Sequence, residues 1–319
     1  MKTRNLILAA AIVSSFILHP SSFGQGALTP PGAPAPTMKT LAQIEPRTDV
    51  LKLVGDGFNL FIINQPGSYY LTTNIVAVGA NGITITTNNV TLDLNGFTIF
   101  STGNGGALGT GIYLKGGNAD ITIFNGHITG GVTNNGAGSY LGAGFFSGID
   151  YTLDPPSDVR VANVSVSGCG GNGIYLGNNS TLVESCTVNT VGSDGIVAST
   201  VKSSVALDCG GSAFFGNQVS DCRGQSTGFG FGLYAQTALN CYGTSSSGIG
   251  LYATTAQNCY GFGGGGGSYG VYATDIATGC SGYSSRGTGL SAFIANGCRG
   301  LTGSGMALDL SATHNVNSF

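Results

Sequence analysis

Three aspartates and an arginine, Asp150, Asp154, Asp158 and Arg160, crowd one proline-bearing segment of a chain that is only 8% charged. Carboxylates are what glycosidic-bond chemistry uses. A glycoside hydrolase sets two of them across the scissile bond, and a uronate lyase needs a base together with a cation or calcium to neutralise the substrate's carboxylate. With Lys115 and Asp120 on neighbouring repeats, this cluster could supply either set. The competing reading is that aspartates beside Pro155-Pro156 make solvated turns.

Other reactive residue types are placed less suggestively. Asp93 sits in the run Val90-Thr91-Leu92-Asp93-Leu94, where strand alternation puts it on the face opposite the leucines, outward or bonded to a corner amide beside Asn95-Gly96. His127 follows Asn125-Gly126 with no second histidine or cysteine at ligand spacing, so no metal site is assigned. The eight cysteines, Cys169, Cys186, Cys209, Cys222, Cys241, Cys259, Cys280 and Cys298, are even in number. They could pair in 105 ways. One per repeat in register points every thiol the same way, which disfavours the roughly perpendicular torsion of a disulfide and predicts a reduced, buried ladder. Without a histidine partner none is a catalytic nucleophile. Tyrosines provide the other binding chemistry. If Leu233, Leu251 and Val271 point inward, Tyr234, Tyr252 and Tyr272 point outward and stack into a stripe, with Tyr242 and Tyr260 as a second. Exposed aromatics with a hydroxyl suit sugar rings, and the alternative is that the stack shields the sheet.

These residues are positioned by a repeat. The phrase Gly232-Leu233-Tyr234-Ala235 returns as Gly250-Leu251-Tyr252-Ala253, Gly270-Val271-Tyr272-Ala273, Gly289-Leu290-Ser291-Ala292 and an echo at Gly305-Met306-Ala307-Leu308, in steps of 18, 20, 19 and 16 residues. Earlier forms begin at Gly82, Gly111, Gly148, Gly173 and Gly195, with steps of 29, 37, 25 and 22. A period near 20 signals a stacked solenoid, with extra length looped out of one face, here around residues 101–110, 130–147 and 151–158. A coil of that length makes three short strands that pair with the coils above and below at about 4.8 Å. Short β-branched runs such as Ile83-Thr84-Ile85-Thr86, Ile121-Thr122-Ile123 and Val159-Arg160-Val161, punctuated by asparagine and glycine, fit such strands. Seven of the cysteines have glycine two residues later, which reads as a corner needing positive φ.

Composition agrees. The chain has 319 residues, 56 of them glycine, and 41% are hydrophobic, which argues against disorder. A net charge of −3 with eleven scattered basic residues gives no footprint for nucleic acid or an anionic membrane. Residues 1–24 have the basic start, apolar run and small-residue end of a signal peptide, too short for a membrane span. That places the mature chain outside the cytoplasm, secreted, periplasmic or at the cell surface. Residues 25–36 form a proline-rich linker. Residues 37–58 form a capping segment, in which Met38, Leu41 and Ile44 share one helical face before Pro46 and cover the first exposed strand edge. Residues 59–319 are the solenoid.

The run Val90-Thr91-Leu92-Asp93-Leu94-Asn95-Gly96-Phe97-Thr98-Ile99, the Gly-Ile-Tyr-Leu coils and the Asn-Gly-x-Ile corners resemble secreted right-handed parallel β-helix proteins of the pectin-lyase-like superfamily. The prelude Met38-Lys39-Thr40-Leu41, with Gln65-Pro66-Gly67-Ser68-Tyr69-Tyr70-Leu71, is similar to an exported bacterial subgroup. The expected fold is therefore all-β: a single-stranded right-handed parallel β-helix of about ten coils with a short N-terminal helical cap. The superfamily includes polysaccharide lyases, glycoside hydrolases and inert scaffolds on one backbone. The paired Asp-Asp, Asp-x-Asp or His-Gly-based patterns of its active pectinase-like members do not occur in this sequence. Two functional expectations follow. One is a non-catalytic exported scaffold, with polysaccharide or cell-envelope glycan as partner through Tyr234, Tyr252 and Tyr272 and no cofactor. The other is a lyase or hydrolase working through residues 130–160, with calcium if a lyase.

Overall fold

The computed structural model describes residues 46–101, 108–309 and the backbone of 314–316. The expected signal peptide, the linker and the capping helix lie outside the described residues. From Arg47 onward the chain is one unit, a right-handed parallel β-solenoid of about 12 turns rather than about ten. The two turns not counted from sequence lack the leading glycine: one carries Phe61, the other Ala213-Phe214-Phe215. The last echo is also displaced, since Leu308, not Met306, aligns with Leu290.

Each turn lays down three strands, so the solenoid has three faces. Face 1 begins with Asn59–Ile63, Asn81–Ile85, Thr110–Lys115 and Ser147–Thr152. Its inward column runs Ile83, Ile112, Ile149, Ile174 and Ile196 in strict register, and resumes as Leu233, Leu251, Val271 and Leu290. Face 2 begins with Gly67–Tyr70 and Val90–Asp93, and its inward column runs Leu92, Ile123, Val161, Val183, Val201 and Val219 before changing to Ala238, Ala256, Ala277 and Ala295. Face 3 begins with Ile75–Ala77 and Thr98–Ser101. There the column falls from Ile99, Ile128, Val166 and Val188 to Ala206, and then to Gly224, Gly243, Gly261, Gly282 and Gly300. Side-chain volume in the core therefore drops towards the C-terminus.

Those face 3 glycines are not corner residues, contrary to the sequence reading, and their φ is not positive. They are required for space: a Cβ on Gly243 would lie 2.4 Å from the Gly250 carbonyl oxygen. The phrase glycines obey the same rule, as a Cβ on Gly232 would meet the Thr244 amide nitrogen at 2.2 Å. The left-handed corner lies one residue before each cysteine of the main column, at Ser185, Asp221, Asn240, Asn258, Gly279 and Gly297, with φ between 53° and 62°. Small polar residues and glycine tolerate that conformation.

All eight cysteines are buried and unpaired by disulfides, but they form two columns rather than one. Cys222, Cys241, Cys259, Cys280 and Cys298 follow one another at the corner between faces 2 and 3, with Cys186 in the same column and Ser204 between it and Cys222. Cys169 and Cys209 instead end their face 3 strands, separated by Val191. The uneven spacing of the first four reflects this alternation of corners. At the main corner each thiol donates to the carbonyl two residues back, from Cys222 to Ser220 at 3.0 Å and from Cys241 to Leu239 at 3.1 Å. Ser204 does the same to Lys202 at 2.7 Å.

The first described turn is closed by Thr48–Asp49, which pairs with Gly67–Tyr70, and by the 3-10 turn Val50–Lys52, which buries Val50. Part of the long excursion at 130–147 folds into the antiparallel pair Thr133–Asn134 and Tyr140–Leu141. Tyr140 donates to Asp208 at 2.8 Å, and its hydroxyl lies 2.6 Å from that of Thr227. Its ring packs where Gly192 and Gly210 leave room, so the excursion straps over three coils.

Candidate functional site

Alternation along face 1 turns a single column outward: Tyr113, Asp150, Tyr175, Val197, Phe215, Tyr234, Tyr252, Tyr272 and Ser291. Side chains in such a column repeat at the strand spacing of about 4.8 Å, close to the distance at which aromatic rings stack. Phe215 and Tyr234 have centroids 4.6 Å apart and planes 3° apart; Tyr234 and Tyr252 are 4.9 Å and 8° apart. Tyr272 continues the ladder at 5.2 Å with a 40° tilt. The expected outward tyrosine stripe is therefore present, half-buried, and extended by Phe215. Phe231 and Tyr269, in the adjoining corner column, pack at 5.3 Å on Tyr234 and 4.7 Å on Tyr272. Tyr242 and Tyr260 form the second stack on face 3, at 4.8 Å.

Stacking has a chemical consequence. Tyr234 and Tyr252 spend their ring faces on each other, leaving edges and hydroxyls outermost. Free faces occur only where the ladder ends or breaks. It breaks at Val197: Tyr175 stacks on Tyr151 at 5.5 Å on one side, Phe215 stacks on Tyr234 on the other, and the rung between carries only the short Val197 side chain. A cleft of about 290 Å³ opens there, lined by Tyr151, Tyr175, Val197 and Phe215 with Pro155, Gly177, Asn178 and Asp194.

Polar groups border this cleft. The Asn172 side-chain amide donates to Asp150 at 3.4 Å, and its oxygen accepts from the Asp194 backbone amide at 3.3 Å. Burial holds both carboxyls above the ordinary aspartate value. For Asp150 the amides of Tyr151 and Asn172 oppose the shift, and for Asp194 the Ser212 amide, at 2.7 Å, opposes it.

The four residues of the candidate catalytic cluster are dispersed. Asp150 lies on face 1. Asp154 is exposed in the corner after it, and Asp158 is exposed at the start of the face 2 strand with φ 52°. Arg160 points out of face 2 and is paired with Glu184, its Nε donating to Oε1 at 2.7 Å. Lys115 and Asp120 are likewise exposed, at the end of one strand and the start of another. Asp93 is outward as alternation requires: it accepts from the Asn95 amide at 2.8 Å and pairs with Arg47 at 2.8 Å. His127 faces outward on face 3, with Nδ1 3.3 Å from the Ser165 hydroxyl. Among the described residues no group of three or more His, Cys, Asp or Glu is placed to hold a metal ion. Burial and mutual hydrogen bonding push most of the thiols up, Cys186 and Cys280 to about 11, and leave them poor nucleophiles.

Sequence reasoning missed Phe215, Asn172 and Asp194. Phe215 was within reach, because Ala213-Phe214-Phe215-Gly216 is the Gly-Leu-Tyr-Ala phrase with other letters. Asn172 and Asp194 each stand one residue before a phrase glycine, the same corner position as Phe231 and Tyr269.

No protein-family model matches the chain, and no curated protein matches it.

Proposed function

We propose that the protein is an exported, non-catalytic solenoid of the pectin-lyase-like kind that holds a neutral glycan along face 1. The observation that carries this reading is the missing rung at Val197. Tyr175 and Phe215 stand two rungs apart, about 9.6 Å, with one ring face each turned toward the gap. Two van der Waals contacts of about 3.5–4.0 Å leave room between them for one non-planar sugar ring. Asp194 at the rim accepts hydroxyls, and the hydroxyl edges of Tyr234, Tyr252 and Tyr272 continue the surface along the axis. Asp154, Asp158 and Arg160 are not among the residues lining this cleft, which supports binding over turnover.

The test is affinity for a panel of neutral oligosaccharides. Val197→Phe would supply the missing rung and close the notch while extending the existing stack, so binding should fall about tenfold, the scale of one aromatic contact. Tyr252→Ala should have the smaller effect. Retained affinity in both variants, or no affinity in the parent protein, overturns the reading.

A second reading, a glycoside hydrolase or polysaccharide lyase, is favoured by one observation: Asp150 and Asp194, both held above their ordinary value by burial, flank Asn172 two rungs apart. Release of reducing ends or unsaturated products from the same panel, abolished by Asp194→Asn, would replace binding with hydrolysis or elimination.

A further inference from the structure

We infer that the C-terminal coils carry a second ligand site, on face 3, for a sugar ring bearing an oxyanion. The inference is independent of the face 1 reading. Face 3 turns two columns outward here. One runs Arg223, Tyr242, Tyr260, Ser281, Arg299; the other runs Gln225, Thr244, Phe262, Tyr283, Leu301. None of these ten positions is acidic, although the chain as a whole has a net charge of −3. Both arginines are exposed, and neither side chain has a hydrogen-bond or ion-pair partner among the described residues. By contrast, Arg47 and Arg160 are each paired with an acid.

At the head of the columns is a cleft of about 250 Å³, bordered by Arg223, Gln225, Tyr242, Thr244, Ser246 and Phe262. The Arg223 guanidinium lies 5.6 Å from the centroid of the Tyr242 ring. That contact sets the guanidinium beside the ring and leaves its N–H groups free for bidentate recognition of an oxyanion. Tyr242 in turn stacks on Tyr260, and Phe262 on Tyr283 at 5.6 Å, so the aromatic border is held from behind. The nearest acids along the chain are engaged elsewhere. Asp221 accepts from the Asn240 amide at 3.1 Å, and Asp208 accepts from Asn134 at 2.6 Å and Tyr140 at 2.8 Å. The cleft thus offers a fixed cation, an amide and hydroxyls for ring oxygens, and an aromatic wall. A sulfate ester and a carboxylate both fit that fork. Arg299, four rungs or about 19 Å further along, would meet a later charge on the same chain.

The experiment measures binding of three oligosaccharides of matched length to the full protein: a sulfated galactan, an oligogalacturonate and an unmodified galactan. At least one anionic probe should bind more tightly than the neutral one and weaken as salt rises. Arg223→Gln should cost that probe about tenfold or more, the scale of charge-assisted hydrogen bonds, and Arg223→Lys should fall between. Which anionic probe responds identifies the group. Val197→Phe should leave the Arg223-dependent, salt-sensitive part of the binding unchanged, so failure here and failure on face 1 are distinguishable. Arg223-dependent binding of the neutral probe equal to that of the anionic ones, indifference to Arg223→Gln in a variant with unchanged thermal unfolding, or no binding of any probe overturns the proposal.

Discussion

Asp194 shows how one side chain carries both the design of face 1 and a measurable signature. Its carboxyl is held above the ordinary aspartate value of 3.8 by burial, against the pull of the Ser212 amide. The folded state therefore binds this proton more tightly than the unfolded chain does. The contribution to stability is fully present below pH 3.8 and is lost as pH rises through the raised value. Asp194→Asn keeps an acceptor for the Ser212 amide and removes the titration. Relative to the parent, the variant should therefore gain stability between about pH 4 and neutrality, read from urea midpoints at each pH; parallel pH profiles would contradict the assignment. Residues like this are the hardest to find in a sequence. Asp93 was legible because alternation with Leu92 and Leu94 fixes its side, and Tyr234, Tyr252 and Tyr272 were legible because the phrase repeats. Asp194 lies in a corner, where nothing local tells a turn-making aspartate from one sunk beside a cleft. Asp150 shared a segment with Asp154 and Asp158, but closeness in sequence does not survive a corner that sends one residue to face 1 and the next to face 2.

At the scale of the strand, glycine divides into two kinds with different costs. Gly243 has unexceptional φ but no room: an added Cβ would lie 2.4 Å from the Gly250 oxygen and 3.3 Å from the Leu233 Cβ. Gly266 has neither constraint, with nothing within 4 Å and no positive φ. Gly243→Ala should destabilise by about 1–3 kcal/mol, the usual penalty for overpacking, whereas Gly266→Ala should be neutral or slightly stabilising. Chemical denaturation of the two variants separates steric from conformational demand; equal effects would mean that face 3 can yield. The period was readable because each strand of a solenoid meets its equivalent one repeat away, so packing leaves a local trace. What was not readable depends on contacts between unlike parts. The two cysteine columns look alike in sequence because both carry a small apolar residue at a corner. The strap through Tyr140 rests on Gly192, Gly210, Asp208 and Thr227, brought together from coils whose order alone does not show where the excursion will fold.

Over the whole molecule, the change in core size should make stability uneven along the axis. In a solenoid each coil contacts only its neighbours, so stability is close to a sum of coil and interface contributions and need not be shared equally. The coils from Ile83 to Val201 bury isoleucine, leucine or valine on all three faces, apart from Ala206 on face 3; the next buries Phe214 and Val219 but has Gly224 on face 3, and beyond it face 2 buries Ala238, Ala256, Ala277 and Ala295, and face 3 buries glycine. Each valine replaced by alanine forgoes about 1.6 kcal/mol of apolar burial, at about 0.8 kcal/mol per methylene. Each glycine in a strand adds an entropic cost of about 0.5–1 kcal/mol. Opposing this are the outer stacks of Tyr234, Tyr252, Tyr272, Tyr242 and Tyr260, whose pairs add about 0.5–1.5 kcal/mol each, and the thiol contacts at the corners. The loss falls on two faces of every coil, while the stacks cover only part of the exterior, so the loss is larger. Hydrogen exchange should accordingly show stronger protection in peptides between residues 83 and 219 than between 233 and 302, with the step close to Gly224, where the core changes character. Uniform protection across that step would mean that the aromatic ladders compensate fully. Face 1 would then owe its rings to folding, and Val197→Phe, by completing the ladder, should raise the protection of the coils around it.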